Sequence, residues 1–287
     1  MKPVLELVTT GSELLNGSIL NRHAQWLGAQ LANLGWTLGR DTTVPDDAAA
    51  IRDAIASAFS RAEVVIVTGG LGPTSDDVTR DVAAAWAGTK VVMHEPTRLH
   101  VAHVYAARNK PLNAMVERHA LVVEGADVLD NRHGLAPGEH ITAHGRHLFL
   151  LPGPPREFQG VMRDHVLPWL DRQGVAAKRR IAAFSCVGVG ESDIATRLDQ
   201  LGFGSLHIET AYCAEPARVL VRITERAAGA ADFDRAVALV RRELGPAIYT
   251  ENDEAIEQTV HRLCRERGVT LAVRSEERRV GKECRSR

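Results

Sequence analysis

Cysteine is scarce in this chain. The four, Cys186, Cys213, Cys264 and Cys284, lie among 287 residues with no CxxC pair. That spacing excludes a disulfide framework and a zinc ribbon, and reduced, mostly buried thiols are expected. No apolar run is long enough to span a bilayer, and the start Met1-Lys2-Pro3-Val4-Leu5-Glu6 lacks a signal peptide's apolar core. A cytoplasmic location is therefore expected. Charge of one sign is also missing: 35 Lys and Arg against 36 Asp and Glu leave a net −1, which provides no electrostatic pull on nucleic acid or membrane. The twelve histidines form no HExxH and read as solvated faces rather than metal ligands. Ser12 and Ser75 have no base at a useful spacing, so serine nucleophile chemistry is not expected.

What is present is the composition of a globular protein, 45% hydrophobic and 25% charged, with length for about two domains. The chain is organised around Val64-Val65-Ile66-Val67-Thr68-Gly69-Gly70-Leu71-Gly72-Pro73-Thr74-Ser75-Asp76-Asp77. Four β-formers read as a strand buried on both faces, the pattern of a parallel sheet. The glycine-rich turn predicts a close backbone approach. Ser75, Asp76 and Asp77 read as cap and first-turn residues of a helix over 78–86. Backbone N–H groups at such a turn attract anions, yet the carboxylates there repel a bare phosphate. A divalent cation bridging acid to phosphate resolves the conflict. The loop is not a P-loop, because no Gly-Lys-Ser/Thr closes it, and it lacks the third glycine of the dinucleotide fingerprint. A purely structural account makes Gly70 and Gly72 turn formers and Asp76 a cap, leaving the second aspartate without a purpose.

Ahead of the loop, Val4–Val8 reads as a first strand running into Gly11-Ser12-Glu13. Leu20, Ala24, Leu27, Leu31 and Leu34 mark a helix face stopped by Gly35. Trp36–Leu38 reads as a short strand, and Asp46 as the cap of a helix carrying Ile51, Ile55, Ala58 and Phe59 inward. Downstream come a helix near 96–108, the proline-flanked Asn113, strands at 126–129 and 148–151, a Pro152–Glu157 turn and a helix over 157–170. Strand–helix alternation predicts a doubly wound, mostly parallel α/β domain over residues 1–174, with ligands beyond the carboxyl ends of its strands. Residues 175–250 read as a split β-α-β unit, a smaller ferredoxin-like or KH-like α+β domain. It has no GxxG loop and no aromatic platform, so nucleic-acid binding is not expected of it.

Asp77 and Asp81 are four residues apart, a spacing that suits joint metal ligation, while Asp81 beside Arg80 on an exposed helix is equally an ordinary surface residue. Glu13 stands at the ligand end of the first strand, and Asn113 is either a ligand contact or a turn former. Val269–Val273 reads as a strand. Arg274–Arg287, with six basic and three acidic residues, matches a reading frame of a common sequencing adapter and is expected to be foreign. Without it, 29 basic residues face 33 acidic ones.

Four motifs in order resemble the CinA family (competence/damage-inducible protein A): Gly11-Ser12-Glu13-Leu14-Leu15-Asn16-Gly17, the loop Thr68 to Thr79, Ala136-Pro137-Gly138, and Leu151-Pro152-Gly153-Pro154-Pro155-Arg156-Glu157. Ser12 and Leu135 stand where that family usually has Thr, and Glu117–Ala120 also departs from its pattern. The resemblance implies a MogA/MoeA-like, molybdopterin-binding fold followed by a KH-like domain. It also implies a metal-dependent pyrophosphatase splitting ADP-ribose into AMP and ribose 5-phosphate, and a homodimer. Residues 251–273 then hold a helix and the start of a deamidase domain that this chain is expected to lack. On this reading Asp77, Asp76 and Asp81 hold a divalent cation (Mg, Mn or Co), and Glu13 orients water or binds ribose. Gly11, Gly69, Gly70, Gly72, Thr74, Asn113 and Gly153 surround the nucleotide. Two rivals stand beside it: a non-hydrolytic pterin- or nucleotide-binding module, and an enzyme like the molybdopterin adenylyltransferases.

Overall fold

The computed structural model describes residues 4–174, 179–215, 218–226, 228–251, 254 and 256–272. The chain divides into two units, Met1–Lys178 and Arg179–Arg287. The first runs β1 (Val4–Thr10), α1 (Ser12–Leu15), α2 (His23–Asn33), β2 (Thr37–Val44), α3 (Ala48–Phe59), β3 (Val64–Thr68), α4 (Thr79–Ala87), β4 (Val91–Met93), α5 (Glu95–Ala107), α6 (Ala114–Glu117), β5 (Leu121–Val123), β6 (Asp127–Leu129), β7 (Gly138–Ala143), β8 (Arg146–Leu151), α7 (Pro155–Val161) and α8 (Leu167–Arg172).

Six strands form one sheet in the order β2-β1-β3-β8-β7-β6. The first four are mutually parallel; beyond them β7 pairs antiparallel with β8, and the edge strand β6 antiparallel with β7. Strand pleating divides the core between two faces. On one, Val8, Val65 and Val67 pack with Ile51, Ile55 and Val82 of α3 and α4. On the other, Leu5, Leu7, Val64 and Ile66 pack with Leu27 and Leu31 of α2 and Phe158 of α7. Every residue of β3 is buried, which is why the organising strand shows no polar alternation.

Several local expectations are corrected. Asp47, not Asp46, caps α3, accepting from the Ala50 amide at 2.9 Å. The short strand at 36–38 is the eight-residue β2, an edge strand whose polar residues face solvent. The β4–β5 pair and β7 carry no clear apolar alternation and are absent from the sequence reading. Leu20 is 72% exposed rather than part of the α2 face. Helix α4 starts at Thr79, so Ser75, Asp76 and Asp77 precede it as a turn instead of forming its first turn. The helix expected over 157–170 is interrupted at Met162–Val166 by one π-helical turn. That turn sits just before Pro168, whose ring would crowd the carbonyl four residues back in a regular α-helix.

In the second unit β9 (Ile181–Cys186), α9 (Glu191–Asp199), β10 (Ile208–Glu215), β11 (Arg218–Glu225), α10 (Ala230–Leu244) and β12 (Ile248–Thr250) form the expected split β-α-β arrangement. Its sheet order is β10-β11-β9-β12, antiparallel throughout. Ile194 and Leu198 of α9 and Phe233, Ala236 and Val240 of α10 fill its core. Helix α11 (Ile256–Arg267) follows. Val269–Ala272 form no strand, contrary to expectation, and the adapter-like 274–287 lie outside the described residues. Among the described residues no helix is long and apolar enough to cross a membrane.

Candidate functional site

The parallel strands end on one side of the sheet, and the loops leaving them enclose a cavity of about 1020 Å³. Gly11, Glu13, Gly69, Gly70, Gly72, Asp76, Asp77 and Gly153 line it. Thr74, Asp81 and Asn113 do not. Asn113 is the N-cap of α6, its carboxamide oxygen accepting from the Val116 amide at 2.9 Å. Asp81 is an exposed residue on the first turn of α4.

The glycines have neighbours within the chain itself. Gly69 and Gly70 have φ of 102° and 65°, in the left-handed region. A Cβ on Gly69 would lie 2.5 Å from the Thr10 carbonyl, and one on Gly70 would strike the Thr79 hydroxyl. A Cβ on Gly72 would lie 2.6 Å from the Asp77 carboxylate. Much of the glycine density thus lets the loop pack on β1 and α4. The Gly69 amide also donates to the Leu151 carbonyl at 3.1 Å, so it is not free for a phosphate.

The acids are held in place by short-range bonds. Asp77 Oδ2 accepts from the Thr74 amide at 2.9 Å and from its hydroxyl at 2.6 Å. Thr74 and Asp76's own amide hold the exposed Asp76 carboxyl below the usual carboxylate range. Asp46, left free by Asp47, accepts from the Ser12 amide at 2.8 Å and so ties the Gly11–Glu13 turn to the end of β2. Glu13 is exposed. Among the described residues no three His, Cys, Asp or Glu side chains converge on a common point.

Arg80 corrects another expectation. It is no surface partner of Asp81: its guanidinium is 6% exposed and pairs with the fully buried Glu139 at 2.8 Å. It also donates to the Leu71 carbonyl at 2.7 Å, while Glu139 accepts from the Val123 amide at 2.7 Å. Burial is the largest influence on the Glu139 carboxyl and pushes its pKa up, with Arg80 pulling against it. The pair anchors the glycine loop from beneath. The sequence carried no local signal of this pair, since β7 shows no clear apolar alternation.

The sequence reading also missed the cavity's cations. Arg22, Arg108, Arg132 and Arg156 line it, as do His23, His100, His119 and His133. His23 is buried, its ring 4.4 Å from Phe158 and its Nε2 2.9 Å from the Gly153 carbonyl. Burial lowers its pKa. It is thus a structural link between α2 and the Pro152–Pro155 turn, not a solvated residue.

Residues 6–172 match the family described as "Probable molybdopterin binding domain", and residues 183–250 match "Damage-inducible protein CinA KH domain". A CinA-like protein of Kosmotoga olearia is 36% identical over 273 residues, covering 93% of this chain and 66% of the relative. A CinA-like protein of Dictyoglomus turgidum is 34% identical over 274 residues with the same coverage. The chain therefore spans 66% of the length of these relatives. The crystal structure of the protein CinA from Thermoplasma acidophilum aligns with a TM-score of 0.51 at 27% identity, over 57% of this chain and 95% of that one. With both domain matches in order and the same motifs at the ligand end of the sheet, the chain belongs to the CinA family.

Proposed function

We propose that this chain hydrolyses the diphosphate bond of a nucleotide, ADP-ribose in the first instance, to AMP and ribose 5-phosphate with a divalent cation. The observation that carries the reading is that Asp76, Asp77 and Glu13 line, with the Gly69–Gly72 loop, one cavity of about 1020 Å³, large enough for a dinucleotide-sized ligand. The donor set fits a hard cation: all oxygen, with Asp77 Oδ2 committed to Thr74 and its other oxygen and the Asp76 carboxylate remaining. One or two carboxylates, water and ligand phosphate form an ordinary Mg²⁺-type shell. When bound, such a cation neutralises the diphosphate and acidifies a water. The Gly70 and Gly72 amides, which make no backbone hydrogen bond, donate to phosphate oxygens. Glu13 orients water or a ribose hydroxyl. Thr74 acts one step removed, by fixing Asp77.

A second reading, nucleotide or pterin binding without turnover, is favoured by the lack of three converging ligands among the described residues. Incubation with ADP-ribose and Mg²⁺, Mn²⁺ or Co²⁺, with AMP read by chromatography, separates the two. Asp77→Asn is expected to lower the rate by more than about 100-fold, beyond the usual loss for residues one step from a metal. No AMP with any of the three metals, or an unaltered rate in the variant, overturns the hydrolase reading.

A further inference from the structure

The cavity that holds Asp76 and Asp77 is also lined by arginines, and the winding of the sheet brings them to it. The links β2→α3 and β3→α4 lead to the face cored by Ile51, Ile55 and Val82, and they carry Asp46, Asp76 and Asp77. The link β1→α2 and the first turn of α7 lead to the other face, cored by Leu27, Leu31 and Phe158, and they carry Arg22 and Arg156 together with the cavity-lining Glu13 and Glu157. Arg132 joins this second side through its neighbour Asn131, whose carboxamide donates to Glu157 at 2.7 Å. Arg22 is drawn to the same side by its neighbour His23, bonded to the Gly153 carbonyl. Two hydrogen bonds thus tie the neighbours of Arg22 and Arg132 to the segment 153–157 that carries Arg156.

These arginines make no ion pair among the described residues, whereas Arg61, Arg80, Arg98, Arg180 and Arg241 all do. The acid next to Arg156, Glu157, is engaged by Asn131 instead. Unpaired guanidinium groups along a cavity wall match a doubly charged phosphomonoester, whose three terminal oxygens accept from forked donors. The diphosphate does not meet this need, since its place is the glycine loop and its acids.

We propose that the site takes a diphosphate-linked nucleotide carrying an additional phosphomonoester, which Arg22, Arg132 and Arg156 bind across the cavity from Asp76 and Asp77. The inference deepens the pyrophosphatase reading and rests on its placement of the diphosphate. Calorimetric titration in EDTA, where metal-dependent turnover is stopped, compares ADP-ribose with its 2′-phosphate and its 1″-phosphate. At least one phosphorylated ligand is expected to bind about 10-fold or more tightly than ADP-ribose, the gain of one charge-assisted contact. In Arg22→Ala/Arg156→Ala the ratio is expected to fall close to one, with thermal melting verifying that the variant is folded. Arg156→Lys, which keeps the charge but loses the fork, is expected to lie between. Equal binding of all three ligands, or a preference that survives the double variant, overturns this inference while leaving hydrolysis of ADP-ribose intact. A preference that depends on the arginines, without AMP release under any metal, upholds the inference and removes the hydrolase. Absence of binding by any of the three ligands in EDTA overturns the inference, while AMP release from ADP-ribose with added metal decides the hydrolase separately.

Discussion

Replacing Arg80 by methionine isolates how the glycine loop is anchored. The guanidinium is buried against Glu139 at 2.8 Å and bonded to the Leu71 carbonyl at 2.7 Å. Loss of a charged hydrogen bond to a buried carbonyl costs about 1.5–3 kcal/mol. Stranding the Glu139 carboxylate raises the total to about 3–5 kcal/mol. For a unit of this size that corresponds to a fall of roughly 10 °C in Tm, measurable by thermal and urea denaturation. The deficit depends on pH in a defined direction. Without Arg80, burial raises the Glu139 carboxyl further above its unfolded value near 4.3. Stability from a raised carboxyl is present below the unfolded value and lost as pH rises through the folded one. The variant is therefore expected to approach wild type at acidic pH and fall behind toward neutrality. Arg80→Met/Glu139→Leu removes the stranded charge and is expected to recover much of the loss. A cost under about 1 kcal/mol for the single variant, or a double variant no better than the single, would refute the buried-pair argument.

Two other outcomes follow from the geometry. Gly70→Ala combines a left-handed φ with a Cβ driven into the Thr79 hydroxyl; a loss of about 1–3 kcal/mol and weaker ADP-ribose binding by calorimetry are expected. Burial lowers the pKa values of His23, His140 and His147, so each binds its proton more readily when unfolded than when folded. The wild-type protein is thus expected to lose stability as pH falls through the ordinary histidine value of 6.5. His140→Phe, at a position already stacked on Phe149, should flatten that Tm-against-pH curve.

Much of the fold was legible because its signals are local. The run Val64–Val67 is a strand covered on both faces, and Ile51, Ile55, Ala58 and Phe59 all point inward from one helix. Glycine turns at strand ends located the cavity, since parallel strands present their carboxyl ends on one side of the sheet. Less legible were segments whose polarity is explained by a distant partner. Strand β7 looks unlike a core strand because Glu139 lies within it, and Glu139 is tolerable only beside Arg80, 59 residues earlier. Edge strand β2 is polar for the opposite reason, having solvent along it.

Composition, apolar periodicity and four turn motifs thus determined the α/β class, the split β-α-β unit and the end of the sheet that carries the cavity. Tertiary structure alone decided which charges meet there. It tied Asp46 to the Ser12 turn, committed one oxygen of Asp77 to Thr74, excluded Asp81 and Asn113 from the cavity lining, and placed Arg22, Arg132 and Arg156 in it. The physical reason is one of range. Burial patterns repeat every two to four residues along the chain, whereas ion pairs and cavity walls join residues separated by tens to more than a hundred positions, and no local pattern records them.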